Sequence, residues 1–316
     1  MKNLEIDCSI IIPVYYNEGT LEELFDTING KVITANPALR FEVIFIDDGS
    51  RDGSFREMKR LRDQHPELVR IIRFTRNFGQ VSAIYAGYLH SRGECVINIS
   101  ADLQDPPELM NDMLAAHYDR ENPEEIVICT RSSRDESVLR TLPSHLFYRL
   151  MRTLTFRNMP EGGFDYVLIS RKVLDTAILH SESNPFWQGQ ILWSGYQPRI
   201  LSYRRMKRKS GKSRWTLGKK TKYLIDGVMS YSYFPIRLMT IMGTLIALAG
   251  FVYAIIIVIA KMFGNVPFKG WAPIMVLILV LSGIQMLMLG IIGEYLWRTL
   301  DQVRKRPHFI IEKVIE

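Results

Sequence analysis

Cysteine is scarce in this chain. Among 316 residues there are three, Cys8, Cys95 and Cys129, and no two stand in a Cys-x-x-Cys spacing. Scattered cysteines argue against a disulfide framework or a zinc site and point to a reducing compartment. The first residues do not read as a secretory leader: "MKNLEIDCSIIIPVYY" is acidic ahead of a short apolar stretch, so the N-terminal part is expected in the cytoplasm. No internal repeat or low-complexity tract stands out. Acid is missing from one block. Between residues 199 and 222 there are eleven Lys or Arg and no Asp or Glu, against whole-chain totals of 40 basic and 33 acidic residues. Such a block suits nucleic acid or an anionic membrane surface.

Charge is missing altogether from two longer runs, and these decide for the membrane. Residues 238–260 and 270–293 are 23 and 24 residues without a charge. Each exceeds the roughly 20 residues needed to span a bilayer core. A pair of buried core helices is the alternative. "KMFGNVPFK" between them reads as a short loop, so the two spans form a hairpin. The basic block precedes the first span, and Arg298, Arg304, Lys305 and Arg306 follow the second. The positive-inside rule then puts both termini in the cytoplasm, in an inner-membrane protein of two spans. The aromatic-rich "YLIDGVMSYSYFP" ahead of the first span reads as an interfacial segment. A nucleic-acid partner is not expected, since the basic block abuts a span.

What the first 130 residues do have is alternation. "CSIIIPV", "FEVIFID", "VRIIRF", "CVINIS" and "EIVICT" are short runs rich in Ile and Val. Helical spacing lies between them, as in Leu21, Leu24, Phe25 and Ile28. Continuous apolar strands alternating with helices predict an α/β fold with a mostly parallel sheet covered on both faces. Ligands bind beyond the carboxyl ends of such strands. The first four ends read "PVYYNE", "DDGS", "TRNFGQ" and "SADLQD". "HLFYRLMRTLTF" beyond them looks helical and suited to lie against the membrane, and "FDYVLISRKVL" looks like a strand running into a helix.

The acidic ends carry the candidate chemistry. Asp102 and Gln104 are two apart, which in an extended segment puts both oxygens on one side. Hard oxygen ligands select Mg2+ or Mn2+, and Mg2+ takes one or two carboxylates plus substrate phosphates. Asp105, before Pro-Pro-Glu, suits a helix N-cap. Of the adjacent Asp47 and Asp48, one can accept from a base N–H or ribose hydroxyl while the other packs back onto the fold; capping the next helix is the alternative.

The set "IIPVYYNE", "DDGS", "RNFGQ" and "SADLQDPPE", followed by two C-terminal spans, resembles the family 2 glycosyltransferases of the GT-A fold. More narrowly it resembles their polyprenyl-phosphate branch, the group of bactoprenol glucosyltransferases, undecaprenyl-phosphate aminoarabinose transferases and dolichyl-phosphate mannose synthase. The resemblance implies transfer of a sugar, with inversion, from a nucleotide diphosphate sugar to a polyprenyl phosphate, with Mg2+ or Mn2+. It implies that Pro13, Tyr15 and Asp48 line the base and ribose, and that Asp102 and Gln104 hold the metal and diphosphate. Ser100 stands where the family often has a first Asp, as a sugar or phosphate contact. Glu18 falls one residue later than the common spacing of an expected nucleotide contact. Asp165 matches the acceptor-side Asp, which resembles a general base or positions the acceptor; a strand-end Asp bound to backbone donors is the alternative. Arg204, Arg205, Arg208, Lys212 and Arg214 are candidates for the acceptor phosphate, against general attraction to anionic lipid. Gln188 stands where relatives often have Arg, so Trp187 and Gln188 are expected to face the donor sugar, with Trp193 read as core.

The domains expected are a catalytic domain over 1–203, a basic juxtamembrane segment over 204–235, two spans within 236–298 and a cytoplasmic tail over 299–316. The rival readings are a processive polysaccharide synthase, or a non-catalytic protein that binds nucleotide sugar or handles lipid. The synthases carry a QxxRW motif; here Gln190 and Trp193 are three apart with no Arg before the Trp. Gly283, Gly290 and Gly293 allow close helix contact, which together with the resemblance points to a homo-oligomer.

Overall fold

The structure is a computed structural model that describes residues 6–131, 149, 152–153, 155–156, 158–160, 163–178, 186–204, 225–263 and 272–316. It divides into two compact units, Met1–Leu224 with Pro307–Glu316, and Ile225–Arg306.

The first unit is built on one eight-stranded sheet. Its strands are β1 (Cys8–Val14), β2 (Phe41–Asp47), β3 (Val69–Phe74), β4 (Cys95–Asn98), β5 (Ile126–Arg131), β6 (Tyr166–Ser170), β7 (Arg199–Tyr203) and β8 (Ile311–Ile315), in the order β7-β5-β6-β4-β1-β2-β3-β8. β1, β2, β3 and β4 run parallel, as do β5 and β7. β6 runs against both β4 and β5, and β8 against β3. Near-continuous burial along β1 and β2 follows from cover on both faces. Ile10 and Ile12 join one core with Leu24 and Phe25 of α1 (Leu21–Ile28), Met58 of α2 (Ser54–Gln64) and Met113 of α4 (Leu109–His117). The opposite face carries α3 (Gln80–His90), which comes so close at Gly87 that a Cβ there would meet Ile11 at 2.4 Å.

The antiparallel course of β6 matters for the site. Asn98 at the end of β4 pairs with Val167 near the start of β6. Asp165 therefore enters β6 at the edge where β1 to β5 end. Arg131 pairs with Tyr203 at the same edge.

The second unit holds α6 (Phe234–Met262) and α7 (Ala272–Arg304), with α5 (Trp187–Trp193) belonging to the first. Both long helices are long and apolar enough to cross a membrane. Neither is a core helix: Leu245, Phe251 and Leu287 stand exposed, and the apolar windows are not buried by the chain. Such faces call for lipid. Near the end of α7, Arg298 sits 2.7 Å from Asp226 and 2.8 Å from Glu294.

Two expectations need correction. The second helix does not stop near residue 293 but continues to Arg304, its last turns carried by this ion-pair cluster rather than by apolar side chains. The final residues are not a tail. "IEKVI" forms β8 on the edge of the catalytic sheet, because Ile315 and Val314 find partners in Ile71 and Ile72. The expected interfacial segment is helical over 225–231. The expected helix in 145–156 and the interhelical loop lie mostly outside the described residues.

Candidate active site

The loops at the ends of β1, β2 and β4 are tied to one another. Tyr16 N donates to Ser50 Oγ at 3.1 Å and Asn17 N to Ser54 Oγ at 2.9 Å. Thr20 Oγ1 donates to Ala101 O at 2.9 Å. Tyr16 and Leu103 take φ of 57° and 58°, the left-handed region that side chains disfavour. Strain of this kind persists where surroundings overdetermine it, typically at functional sites. Pro13 and Tyr15 are half-buried at this edge, where the sequence puts them. Glu18 turns elsewhere. Its carboxylate accepts from Gly53 N at 2.9 Å and lines an open groove of about 1000 Å³ between α1 and α2.

Both acids of "DDGS" are committed to the fold. Asp47 is fully buried; it accepts from Ser50 N at 2.8 Å and faces Arg73 Nε at 3.3 Å. Burial pushes its carboxyl up, against the Ser50 hydrogen bonds and the Arg73 charge. Asp48, 2% exposed, accepts from Asn77 Nδ2 at 2.8 Å, Phe78 N at 2.6 Å and Gly79 N at 2.9 Å. It thus serves the amides that lead into α3, an arrangement the helix dipole favours. Gly49, at φ 72°, lies against this loop so tightly that a Cβ would stand 2.5 Å from Arg76 C. These bonds show both side chains packing back onto the fold, as buried carboxyls with donors from the protein do.

The turn after β4 alternates. Ala101, Leu103, Asp105 and Pro107 are buried, while Ser100, Asp102 and Gln104 are half-exposed on the other side. The segment is not extended: Leu103 is left-handed, and Asp102 Oδ1 accepts from Gln104 N at 3.2 Å. Ser100, Asp102 and Gln104 each keep part of their surface open to solvent. Asp105 does not cap α4. Glu108 holds that position, and Asp105 accepts from the Tyr203 hydroxyl.

Asp165 is stitched to this turn from the other side. Its carbonyl accepts from Asn98 Nδ2, and the neighbouring Tyr166 hydroxyl donates to Pro106 O. Its carboxylate lies 3.3 Å from the Arg131 guanidinium, with the two side chains 40% and 37% exposed. Burial works against the charge of Arg131, but Asp165 and Asp105 more than offset it and hold the group above the usual arginine range. An ion pair this exposed contributes about 0–1 kcal/mol. Stability alone does not account for it.

Trp187 and Gln188 pack against Phe164, the residue before Asp165. Both are buried; Gln188 Nε2 donates to Phe164 O, and Trp187 meets the Phe164 ring edge-on at 5.5 Å. Trp193 is the reverse of its expectation, 66% exposed at the end of α5. Arg204 is exposed, one residue past Tyr203. Arg205, Arg208, Lys212 and Arg214 lie outside the described residues. Sequence reasoning missed Arg131, Tyr203 and Asn98. Arg131 had a signal, since it follows "IVICT" as the other polar groups follow their strands.

No group of three His, Cys, Asp or Glu suited to a metal occurs among the described residues. Ser100, Asp102 and Gln104 nevertheless offer oxygen alone with a single carboxylate. That set fits Mg2+ or Mn2+ completed by phosphate oxygens and water.

An α/β sheet with its charged and strained turns gathered at the carboxyl edge places a ligand site there. Residues 9–177 match glycosyl transferase family 2. The uncharacterized glycosyltransferase YkcC of Bacillus subtilis is 34% identical over 309 residues, 98% of this chain and 94% of that protein. The SfII prophage-derived bactoprenol glucosyl transferase of Shigella flexneri is 32% identical over 307 residues, 96% of this chain and 97% of that protein. Among solved structures, the Pyrobaculum calidifontis mannosyltransferase PcManGT, in complex with GDP-Man and Mn2+, gives a TM-score of 0.44 at 17% identity, over 93% of this chain and 90% of that one. The chain belongs to glycosyl transferase family 2. It has the GT-A fold and is a glycosyltransferase.

Proposed function

We propose that this enzyme transfers a sugar from a nucleotide diphosphate sugar to a polyprenyl phosphate at the cytoplasmic face of the membrane, with inversion. The observation that carries the reading is the pairing of half-exposed Asp165 and Arg131 beside the outward turn of Ser100, Asp102 and Gln104. Bactoprenol glucosyl transferases at 32% identity over nearly the whole chain support the acceptor class. Two membrane-length helices in the same chain support access to a lipid.

The nucleotide would lie along the ends of β1 and β2, over Pro13 and Tyr15, with its diphosphate at Ser100, Asp102 and Gln104. A divalent cation bound to Asp102 and Gln104 would neutralise charge on the departing diphosphate. Arg131, with Arg204 just beyond β7, offers the acceptor phosphate a forked cationic grip. A phosphate oxygen then attacks the anomeric carbon opposite the diphosphate; the new C–O bond forms as the old one breaks, and the diphosphate leaves with the electron pair. The acceptor is already ionised, so Asp165 need not take a proton. It orients the sugar and holds Arg131 in place.

β8 follows the hairpin and pairs with β3, which precedes it, and this supports a hairpin that begins and ends on one side of the membrane. The basic block supports a cytoplasmic side. Beyond the backbone of their own helix, Gly283, Gly290 and Gly293 have no atom of the described residues within 4 Å of a Cβ, which suits contact with a second copy.

The test is the full chain in detergent with undecaprenyl phosphate, Mn2+ and a panel of nucleotide sugars, with lipid products followed by mass. One sugar on lipid phosphate, lost with chelator and in Asp102→Ala, is expected. No lipid-linked product from any donor would overturn the reading.

A further inference from the structure

The chain leaves α7 at Arg304 and returns to the catalytic unit within a few residues. There it does more than close the sheet. His308 stacks on Tyr85 of α3, ring centroids 5.8 Å apart. Phe309 stacks on Phe74 at 4.9 Å and 10°, and Phe74 in turn meets Phe78 edge-on at 5.8 Å. Thr75 N donates to Ile310 O at 3.1 Å. Phe78 and Thr75 belong to the loop whose amides Asp48 holds. A second route runs through Arg73. Its Nε lies 3.3 Å from buried Asp47 and 3.5 Å from Glu312 of β8, and its guanidinium packs over Phe55 at 4.2 Å. At the far end of β8, Glu316 is held by Arg70 at 2.7 Å and Arg92 at 2.8 Å.

An edge strand needs only its ladder and an apolar face to add stability. Here the aromatic and charged groups reach instead toward two loops, 75–79 and 47–50. Both lie at the carboxyl ends of β3 and β2, where a ligand of a parallel sheet sits.

We propose that the segment Pro307–Glu316 is a positioning element of the donor site. Phe309 sets the 75–79 loop through Phe74 and Phe78, and Glu312 sets the Asp47–Ser50 turn through Arg73. Donor binding then depends on residues that lie beyond the membrane hairpin. The inference rests on the reading that the nucleotide lies along the ends of β1 to β3. None of these residues touches the reacting atoms; they act through the loops.

The experiment compares Phe309→Ala, Phe309→Tyr and Glu312→Gln in the full chain. Phe309→Ala is expected to raise the donor KM about threefold to tenfold, the size of one aromatic contact, with the acceptor KM unchanged. Hydrogen exchange at the Phe78 and Gly79 amides should quicken, while Val96–Asn98 in the central β4 stay protected. Phe309→Tyr, which keeps the stack, should restore both readouts. Glu312→Gln should raise the donor KM by less and quicken exchange at Ser50. Equal rises in both KM values, with faster exchange across the whole sheet, would reduce the segment to a stabilising strand and overturn the proposal. So would a loosened loop with an unchanged donor KM. If the unaltered chain transfers no sugar, the proposed reaction fails by itself. The positioning role is then judged with UDP and GDP as probes: protection of the Phe78 amide by either, weakened in Phe309→Ala, upholds it, and no protection sinks it.

Discussion

At the end of β2, Asp47 and Asp48 are buried; Asp47 accepts from Ser50 N and faces Arg73, and Asp48 accepts from the loop after β3. At the ends of β5 and β6, Arg131 and Asp165 keep more than a third of their side-chain surface in contact with solvent and lean on each other. The same edge of one sheet thus uses ionised groups in two ways. On the proposed donor side they build loops, which the ligand would meet. On the proposed acceptor side they are presented at the surface, where a charged ligand would replace solvent. Burial separates the two uses, since a carboxylate that is fully buried must be matched by the protein itself.

The comparison breaks most readily at Asp165. Asp165→Asn is expected to lower kcat by about 100-fold or more, the range for loss of a group aligned on the reacting centre. Its melting temperature should stay close to that of the parent, because the exposed pair contributes about 0–1 kcal/mol. A loss below tenfold, or a clear fall in melting temperature, would place Asp165 with the loop-building acids.

Arg131 comes next. Arg131→Lys keeps the charge but loses the planar fork that matches a phosphate. An acceptor KM raised about tenfold with the donor KM unchanged is expected, on the scale of one charge-assisted bidentate contact. If the donor KM rises instead, the division of the edge into two sides is wrong.

The donor side is tested through its loop packing. Gly49→Ala forces a side chain to φ 72° and into the Arg76 backbone. Strain of about 1–3 kcal/mol is expected, read as a lower denaturation midpoint together with a higher donor KM. Gln188→Leu should act more gently and on the other side. It leaves the Phe164 carbonyl without its donor and lets Asp165 drift, so kcat should fall about fivefold. A rise in donor KM alone would restore Gln188 to the sugar.

These residues also show what the sequence could and could not reveal. β1, β2 and β3 were legible to the residue because strands buried on both faces leave unbroken apolar runs. β7 and β8 were not, since edge strands carry the mixed patterns "RILSY" and "IEKVI". Asp102 and Gln104 are half-exposed after β4, but in a turn with left-handed Leu103 rather than an extended segment. The commitments of Asp47 and Asp48 were hidden, because their partners at Arg73 and residues 77–79 come from another strand and its loop. The bond of Gln188 was hidden for the same reason: its partner, the Phe164 carbonyl, lies in a distant stretch of chain.

The smallest expected effect is a pH slope at Asp47. Burial raises its carboxyl in the folded protein above the ordinary value of 3.8. Between that value and its raised native one, the folded state binds more protons than the unfolded state. Stability from this group is therefore present at low pH and lost as pH rises through the native value. Asp47→Asn removes the titration while keeping an acceptor for Ser50 N. Relative to the parent, the variant's denaturation midpoint should improve as pH is raised through that window and level off above it. A difference that stays flat with pH would mean that Arg73 and Ser50 fully compensate the burial.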